Sequence, residues 1–289
     1  MNIDKKILAC VDSTPVAETV ADYAAWAARR LDAPIELLHV LDRHVALSGT
    51  QDHSGAIGLG AEEKLLDKLS KEDEERTRAA REAGRQFLNR LRERALNARA
   101  TAVDTRLRHG DVEETIAEQQ AGSRLLVLGR AGEKSQAADG ALGKHLEWVV
   151  RSVNRPVLVA TQAYSEPTRV LFAFDGSGIT RKGVDMLAGS SLLKGLPVHL
   201  LMAGAPNSAD KRQLEAAAQS LKDAGMETTS SIMPGSPQEL ISDAVKAQGF
   251  NLLVMGAYSH SPLRSLFFGS KTTELLKMSR IPMLLLRRD

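Results

Sequence analysis

The chain has 289 residues, of which 43% are hydrophobic and 26% are charged. These proportions are typical of globular proteins and exclude wholesale disorder and a fibrous class, and the length leaves room for two domains that each bury a core. The 38 Lys and Arg residues against 36 Asp and Glu residues give a formal charge of only +2, which excludes the strong positive field of a general nucleic-acid-binding protein.

The amino-terminal segment carries no sign of export or membrane insertion. Residues 1–6 lead directly into a five-residue apolar strand, and no apolar stretch approaches the length of a membrane span. We therefore expect a cytoplasmic protein with no membrane span. Cys10 is the one cysteine of the chain, so an intrachain disulfide is excluded. Because it lies inside this apolar strand, we expect a buried, inert thiol.

Short apolar strands alternate with longer amphipathic segments, a pattern that predicts a parallel sheet with crossover helices. Residues 17–31 have small and apolar side chains at helical spacing and predict the first crossover helix, which Pro34 brings to an end. The predicted strands of the first half are residues 5–11, 35–41, 102–108, 124–128 and 156–160.

An insertion of about residues 44–98 separates the second and third predicted strands. Residues 44–60 are rich in glycine and predict a mobile loop, whereas residues 61–96 predict one long, charged helix. Because the insertion starts at the carboxyl edge of the strands, it could also cover a ligand site or dock a protein partner. The apolar stripe predicted for this helix consists of Leu65, Leu69, Ala80, Ala83, Phe87, Leu91 and Ala95.

The second half repeats the first after a linker at residues 164–168, which contain a proline and no periodic signal. The first strand ends at Asp12 in one copy and at Asp175 in the other, 163 residues later. The repeat predicts two domains, residues 1–163 with the insertion and residues 164–289. The predicted strands of the second half are residues 169–174, 197–203, 228–233, 251–255 and 282–287.

Open sheets of this kind bind ligands at the carboxyl ends of strands, where the winding direction reverses. The same edge receives Asp12 and Gly129 in the first copy, and Asp175 and Gly256 in the second. Each glycine closes the fourth strand of its copy. The sequence therefore predicts one candidate site at this edge in each copy.

A loop that leads into a helix follows the fourth strand of the second copy. Gly269 allows the backbone to approach a ligand closely, Ser270 offers a hydroxyl group, and the free amides of the first helical turn favour an anion such as phosphate. The alternative is purely structural, because glycine and serine also end strands and cap helices.

The aspartate that closes the first strand and the spacing G-x2-S-x9-G-S from Gly256 to Ser270 resemble the universal stress protein family, whose ATP-binding members carry G-x2-G-x9-G-[ST]. The match covers both copies except the insertion. The resemblance implies an α/β fold of two tandem doubly wound parallel-sheet domains, Rossmann-like and similar to adenine-nucleotide alpha hydrolases. It also implies an intramolecular pseudo-dimer paired through the last strands, residues 157–160 and 283–286.

The resemblance further implies that the second copy binds ATP, or a related adenine nucleotide, together with Mg²⁺. Ser259 stands where the family has its second glycine, and its side chain restricts the backbone, which is expected to lower the affinity. The nucleotide-binding residues implied are Asp175, Gly176, Met202, Ala203, Gly235, Gly256, Ser259, Gly269, Ser270 and Lys271.

The first copy departs further from the family pattern. Ten residues rather than nine separate Gly132 from Gly143, and Lys144 occupies the Ser/Thr position. A lysine there either pairs with phosphate as a point charge or fills an emptied site. The residues of this degenerate first site are Asp12, Val40, Gly110, Gly129, Gly132, Gly143 and Lys144.

The family resemblance implies a stress-response protein that acts as a binding and signalling module. We expect at most slow ATP hydrolysis, because the sequence shows no catalytic residues with interpretable spacing. The alternative is a non-nucleotide-binding tandem interaction module with degenerate sites, whose long helix binds a protein partner or mediates self-association. A third hypothesis is an adenylating ligase, but this sequence lacks the pyrophosphate-binding loop of such enzymes. We predict no covalent cofactor and no metal site, because the polar residues Asp42, His44, Asp52 and His53 match no ligand spacing.

Overall fold

The computed structural model of the protein describes residues 6–42, 61–130, 144–257, 273–277 and 279–287, and for residues 42, 61–69 and 144 it describes the backbone alone. All ten predicted strands are present within these ranges. They are β1 (Lys6–Val11), β2 (Ile35–Asp42), β3 (Val103–Gly110), β4 (Ser123–Gly129), β5 (Val157–Ala160), β6 (Val170–Ala173), β7 (Val198–Ala203), β8 (Thr228–Met233), β9 (Leu252–Gly256) and β10 (Met283–Leu286).

Helices connect the strands, as the alternating pattern predicts. Residues 273–277 are also helical and precede β10. The first half of the protein comprises β1 to β5 with their connections, and the second half comprises β6 to β10 with theirs. The other helices are α1 (Val16–Leu31), α2 (Ala61–Asn97), α3 (Val112–Gln119), α4 (Lys144–Ser152), α5 (Gly178–Ala188), α6 (Ser208–Asp223) and α7 (Pro237–Gln248).

The ten strands form one continuous sheet in the order β3-β2-β1-β4-β5-β10-β9-β6-β7-β8. Strands are parallel within each half, and β5 and β10 pair antiparallel, with Leu158 opposite Leu284. This confirms the predicted α/β class and the pairing of the two halves through their last strands. Because the seam between β5 and β10 is antiparallel, the carboxyl edge of one half lies beside the amino edge of the other.

Helices cover both faces of the sheet, so each face buries its own apolar cluster. One cluster joins side chains of α1, α5, α6 and the carboxyl-terminal part of α2 to the sheet. The other joins α3, α4, α7 and residues 273–277 to the opposite face. A sheet covered on both sides requires strands that are apolar throughout. β5 and β10 meet this requirement, because every residue in them is apolar and buried.

The segment between the halves is held against both of them. The Thr19 hydroxyl of α1 donates a hydrogen bond to the Thr161 carbonyl at 2.7 Å, and the rings of Tyr23 and Tyr164 pack edge to face with centroids 4.8 Å apart. The Asn251 side-chain oxygen accepts hydrogen bonds from the backbone N–H groups of Thr168 and Arg169 at 2.8 and 2.9 Å. The predicted linker is therefore irregular in conformation but docked.

Among residues 70–97 of α2, whose side chains the structure describes, the buried residues lie in the carboxyl-terminal part. Leu88, Leu91 and Ala95 are buried against the sheet and α1. The sequence-based stripe is wrong at Ala80 and Ala83, which are exposed. Helix α2 therefore extends amino-terminally beyond the sheet it covers. Its many charged side chains suit this exposed part to solvent.

An arginine fork fixes α2 to α1. The Arg94 guanidinium donates two hydrogen bonds to the Asp22 carboxylate, at 2.8 and 2.9 Å, and a third to Glu18 at 2.6 Å. Asp22 is only 8% exposed. A buried carboxylate needs such partners, because leaving it unpaired is costly.

The thiol of Cys10 lies in β1, with β2 and β4 on either side. Burial, together with the charge of Glu36, raises the pKa of this thiol to about 12. The thiol is therefore protonated at neutral pH, in keeping with the expected lack of reactivity. Among the helices in the described part of the chain, none has the length and apolar character needed to cross a membrane.

Replacing Arg94 tests how α2 is attached. Arg94→Ala is expected to lower the free energy of unfolding by about 1–2 kcal/mol, because the substitution leaves the Asp22 carboxylate without its fork. Urea unfolding at pH 7 measures this change. The control is Arg85→Ala on the exposed face of α2, where Nη1 of Arg85 lies 4.0 Å from Oε2 of Glu82. If the control loses as much free energy of unfolding as Arg94→Ala, the bonds of Arg94 to Asp22 and Glu18 do not attach α2 to α1.

Candidate functional site

The candidate site of the second half lies at the carboxyl edge of β6 and β9, where the strand order reverses. From β6 the chain passes outward to β7 and β8, then returns to the other side of β6 as β9. Ala173 of β6 pairs with Met255 of β9, so the residues that follow, which include Asp175 and Gly256, lie on neighbouring strand ends. Open α/β sheets bind ligands in a crevice of this kind.

Asp175 is exposed at this edge, and its carboxylate is held in one orientation. Its Oδ1 atom accepts a hydrogen bond from the Ser177 N–H at 3.0 Å and another from the Thr180 hydroxyl at 2.7 Å. Ser177 caps helix α5, and Thr180 lies in its first turn with 1% exposure. Both bonds use Oδ1, so Oδ2 remains an acceptor for a donor group on a ligand.

Gly176 adopts a left-handed backbone conformation with φ of 70°. A Cβ atom at this position would lie 2.5 Å from Oε1 of Gln213, a residue of α6, and 3.9 Å from the Cε of Met202. The amide of Gln213 therefore lies directly over the turn that follows Asp175. This contact brings a polar side chain of α6 into the candidate site.

The ends of β7 and β8 contribute backbone to the same edge. Ala203 pairs with Met233, and Gly235, with φ of 138°, follows β8. The next residue, Ser236, caps α7 and accepts a hydrogen bond from the Glu239 N–H at 3.3 Å. The glycine turns the chain so that the amino terminus of α7 begins at the carboxyl edge.

Gly256 brings the end of β9 against the first turn of α5. A Cβ atom there would lie 3.1 Å from Ile179 and 3.3 Å from Thr180. A larger residue would push against the helix that carries the hydroxyl bonded to Asp175. Gly256 thus does more than end a strand, because its small size sets the distance between β9 and the Asp175 turn.

The first half places its corresponding residues at the carboxyl edge of its own strands. The Thr14 hydroxyl donates to Oδ1 of Asp12 at 2.5 Å, so a neighbouring threonine replaces the more distant Thr180. Gly110 has φ of 142°, close to that of Gly235. Val40 lies in β2, and Gly129 ends β4.

The interior next to Asp12 is filled differently from that next to Asp175. His39, the residue in β2 that corresponds to Met202, is buried, and its Nδ1 lies 2.9 Å from the Val11 carbonyl. Its ring packs edge to face on Phe87 at 5.1 Å. Phe87 precedes the buried Leu88 as Gln213 precedes the buried Leu214, so an aromatic ring in the first half corresponds to the amide in the second.

Several predicted site residues fall outside the described residues. These are Ser259, Gly269, Ser270 and Lys271 in the second copy, and Gly132 and Gly143 in the first. Lys144 begins α4, with its backbone alone described. His44, Asp52 and His53 also lie outside the described residues.

Two residues of the candidate site in the second half were not predicted from the sequence. Thr180 follows Asp175 by five positions, and the hydroxyl at the start of a predicted helix was the signal that could have identified it. Gln213 lies on α6, and the packing of α6 against α5 and the sheet brings it to Gly176. No periodicity in the sequence indicates that contact.

Comparison with known proteins gives consistent matches over most of the chain. The model of the universal stress protein family matches residues 4–161 and 167–287. The universal stress protein Slr1230 of Synechocystis sp. is 32% identical over 286 residues, which cover 98% of this chain and 100% of that protein.

Solved structures have the same fold. A universal stress protein of Archaeoglobus fulgidus superimposes with a TM-score of 0.71 at 17% identity, covering 99% of both chains. A putative universal stress protein of Pseudomonas aeruginosa superimposes with a TM-score of 0.59 at 19% identity, covering 98% of this chain and 92% of that one.

Two glycines of the same turn provide a matched test of the geometry around Asp175. Gly176→Ala is expected to lower the free energy of unfolding by about 1–2 kcal/mol, because alanine disfavours a left-handed conformation and its Cβ would displace Gln213. Gly178→Ala, at the start of α5 with open space around its Cβ, is the control. The control is expected to keep or slightly raise the stability in urea unfolding, and equal losses in both variants would contradict the described turn.

Proposed function

The chain belongs to the universal stress protein family, and we propose that it binds ATP, or a related adenine nucleotide, at the carboxyl edge of β6 and β9. The observation that carries this proposal is the convergence of a fixed, exposed carboxylate, Asp175, and a tightly packed glycine, Gly256, at the point where the strand order reverses. Nucleotides bind at such positions in open α/β sheets.

The carboxylate of Asp175 is suited to hold the ribose. Its Oδ1 is occupied by Ser177 and Thr180, which fix the plane of the group. The other oxygen can then accept a hydrogen bond from a sugar hydroxyl without having to be ordered on binding, which reduces the entropic cost. The backbone at Met202 and Ala203 and the amide of Gln213 border the same space and would contact the base.

The phosphates are proposed to bind along the sequence from Gly256 to Lys271. This part of the proposal rests on the spacing of Gly256, Ser259, Gly269 and Ser270, which supplies backbone amides and hydroxyls suited to phosphate oxygens. Mg²⁺ would come with the nucleotide, because this ion is usually held by phosphate oxygens and water together with few protein ligands.

The second half is a better candidate than the first. It keeps the nine-residue spacing and Ser270 in the motif, whereas the first half has ten residues and Lys144. The structure adds that His39 and Phe87 pack together in the first half at the place where Met202 and Gln213 lie in the second. We therefore propose one nucleotide for each chain.

The proposed role is that of a cytoplasmic binding and signalling module rather than of a fast enzyme. Both bonds to Asp175 hold its carboxylate in one orientation, which suits it to binding a ligand. Occupancy of the second half would then be the signal, with hydrolysis slow at most.

Isothermal titration calorimetry with Mg·ATP tests the assignment of the two halves. Asp175→Asn keeps an oxygen for Ser177 and Thr180 but replaces the second acceptor with an NH₂ group, so the affinity is expected to fall about tenfold or more. Asp12→Asn makes the same change in the first half and is expected to leave the affinity unchanged. The reverse result, with binding lost only in Asp12→Asn, would move the site to the first half.

Gly269→Val tests the phosphate loop separately from the adenosine end. A branched side chain would keep phosphate from approaching the backbone, so we expect binding of ATP to be abolished while the far-ultraviolet circular dichroism and melting temperature stay close to those of the parent. If the folded variant binds ATP as the parent does, the loop assigned from the sequence is wrong.

A further inference from the structure

Two arginines cross the seam between the halves. Arg130 directly follows Gly129 at the end of β4, and its guanidinium donates hydrogen bonds to the backbone carbonyl of Ser279 and, at 3.5 Å, to that of Lys277. Both acceptors lie where the last helix of the second half, residues 273–277, comes to its end.

The opposite crossing starts from the second half. Arg287 directly follows β10 and donates to the carbonyls of Arg151 and Val153, at 2.8 and 2.9 Å, at the end of α4 in the first half. The same guanidinium donates to the carbonyl of Ala257 at 3.3 Å. Ala257 is the residue directly after Gly256, so Arg287 joins the candidate site of one half to a helix of the other.

The acceptors of the two arginines correspond, although the arginines themselves do not. Arg151 and Val153 precede Lys277 and Ser279 by 126 residues each, the offset between corresponding residues near the end of the two copies. Arg130 corresponds instead to Ala257, and Arg287 to Thr161. Two different positions thus supply the same contact in each direction, which a simple duplicated interface would not produce.

The antiparallel seam explains why each arginine can reach its acceptors. Val159 near the end of β5 pairs with Met283 at the start of β10. The carboxyl edge of the first half therefore lies beside the amino edge of the second, where the helix that precedes β10 ends. The same relation holds with the halves exchanged.

Helix ends make good acceptors for these cations. The last carbonyls of a helix lack partners within the helix and form the negative end of its dipole, which attracts a cation. Burial lowers the pKa of Arg130, but a guanidinium stays charged in a protein at neutral pH. Each bridge therefore resists displacement of the strand end that carries it relative to the helix it caps.

We propose that Arg130 and Arg287 couple the two halves, so that a ligand at the carboxyl edge of β6 and β9 alters α4 in the first half through Arg287. The proposal rests on the nucleotide site proposed above and names its regulation. Arg287 is hydrogen-bonded both to Ala257, beside the site, and to the end of α4. A displacement of Ala257 is therefore transmitted to α4. Coupling of this kind is reciprocal, since the state of the first half must change the affinity of the second by the same factor.

Hydrogen exchange measured by mass spectrometry tests this coupling on the full chain. Saturating Mg·ATP is expected to change the exchange rates of α4 amides in the parent, and Arg287→Met is expected to lose that response while calorimetry still shows ATP binding. The control is Arg169→Met, because Arg169 also donates to a helix-end carbonyl, that of Gln248 at 2.6 Å, but within the second half. The control is expected to keep the response of α4.

The outcomes separate the coupling from the nucleotide site. If the parent binds ATP but α4 does not respond, or if Arg287→Met responds as the parent does, the coupling is overturned and the site stands. If calorimetry shows no binding, both proposals fail. Without nucleotide, Arg287→Met is expected to raise the hydrogen-exchange rate at the end of α4 about fivefold, and Arg169→Met is expected to leave it unchanged. An unchanged rate in Arg287→Met would overturn the bridge between Arg287 and α4, regardless of the response to ATP.

Discussion

The antiparallel pairing of β5 with β10 joins the two halves of the protein and determines how they lie against each other. It removes two apolar strands from solvent, where unpaired edges would invite association, and it turns two five-stranded sheets into one. It also determines where the carboxyl edges that carry the two candidate sites lie. The two carboxyl edges face opposite ways, and at the seam each of them lies beside the other half's last helix, within reach of Arg130 and Arg287.

The duplicated halves have kept the same scaffold while their candidate sites have diverged. In the second half, Gly176 and Gln213 border an exposed aspartate that Thr180 holds in place. In the first half, His39 and Phe87 pack together behind Asp12. A polar amide can be displaced or can bind a ligand, whereas a buried ring contributes to the core, so the divergence favours ligand binding in one half and a structural role in the other.

Much of the fold could be predicted because strand period and the repeat are local signals in the sequence. The positions of β1 to β10 follow from apolar runs and their recurrence, whereas the pairing of the last strands was expected from the resemblance to the universal stress protein family. The exposure of Ala80 could not be predicted, because helical spacing does not show where the sheet beneath a helix ends. Gln213 and the arginine bridges were missed for a similar reason, since they depend on how separate elements pack and not on spacing along one element.

Native mass spectrometry of the whole chain, purified without added nucleotide and then given excess Mg·ATP, tests whether each chain binds one nucleotide at the carboxyl edge of β6 and β9. We expect a folded protein that gains the mass of one ATP. A protein that gains none contradicts the nucleotide site at β6 and β9, and a protein that gains two contradicts the assigned difference between the halves.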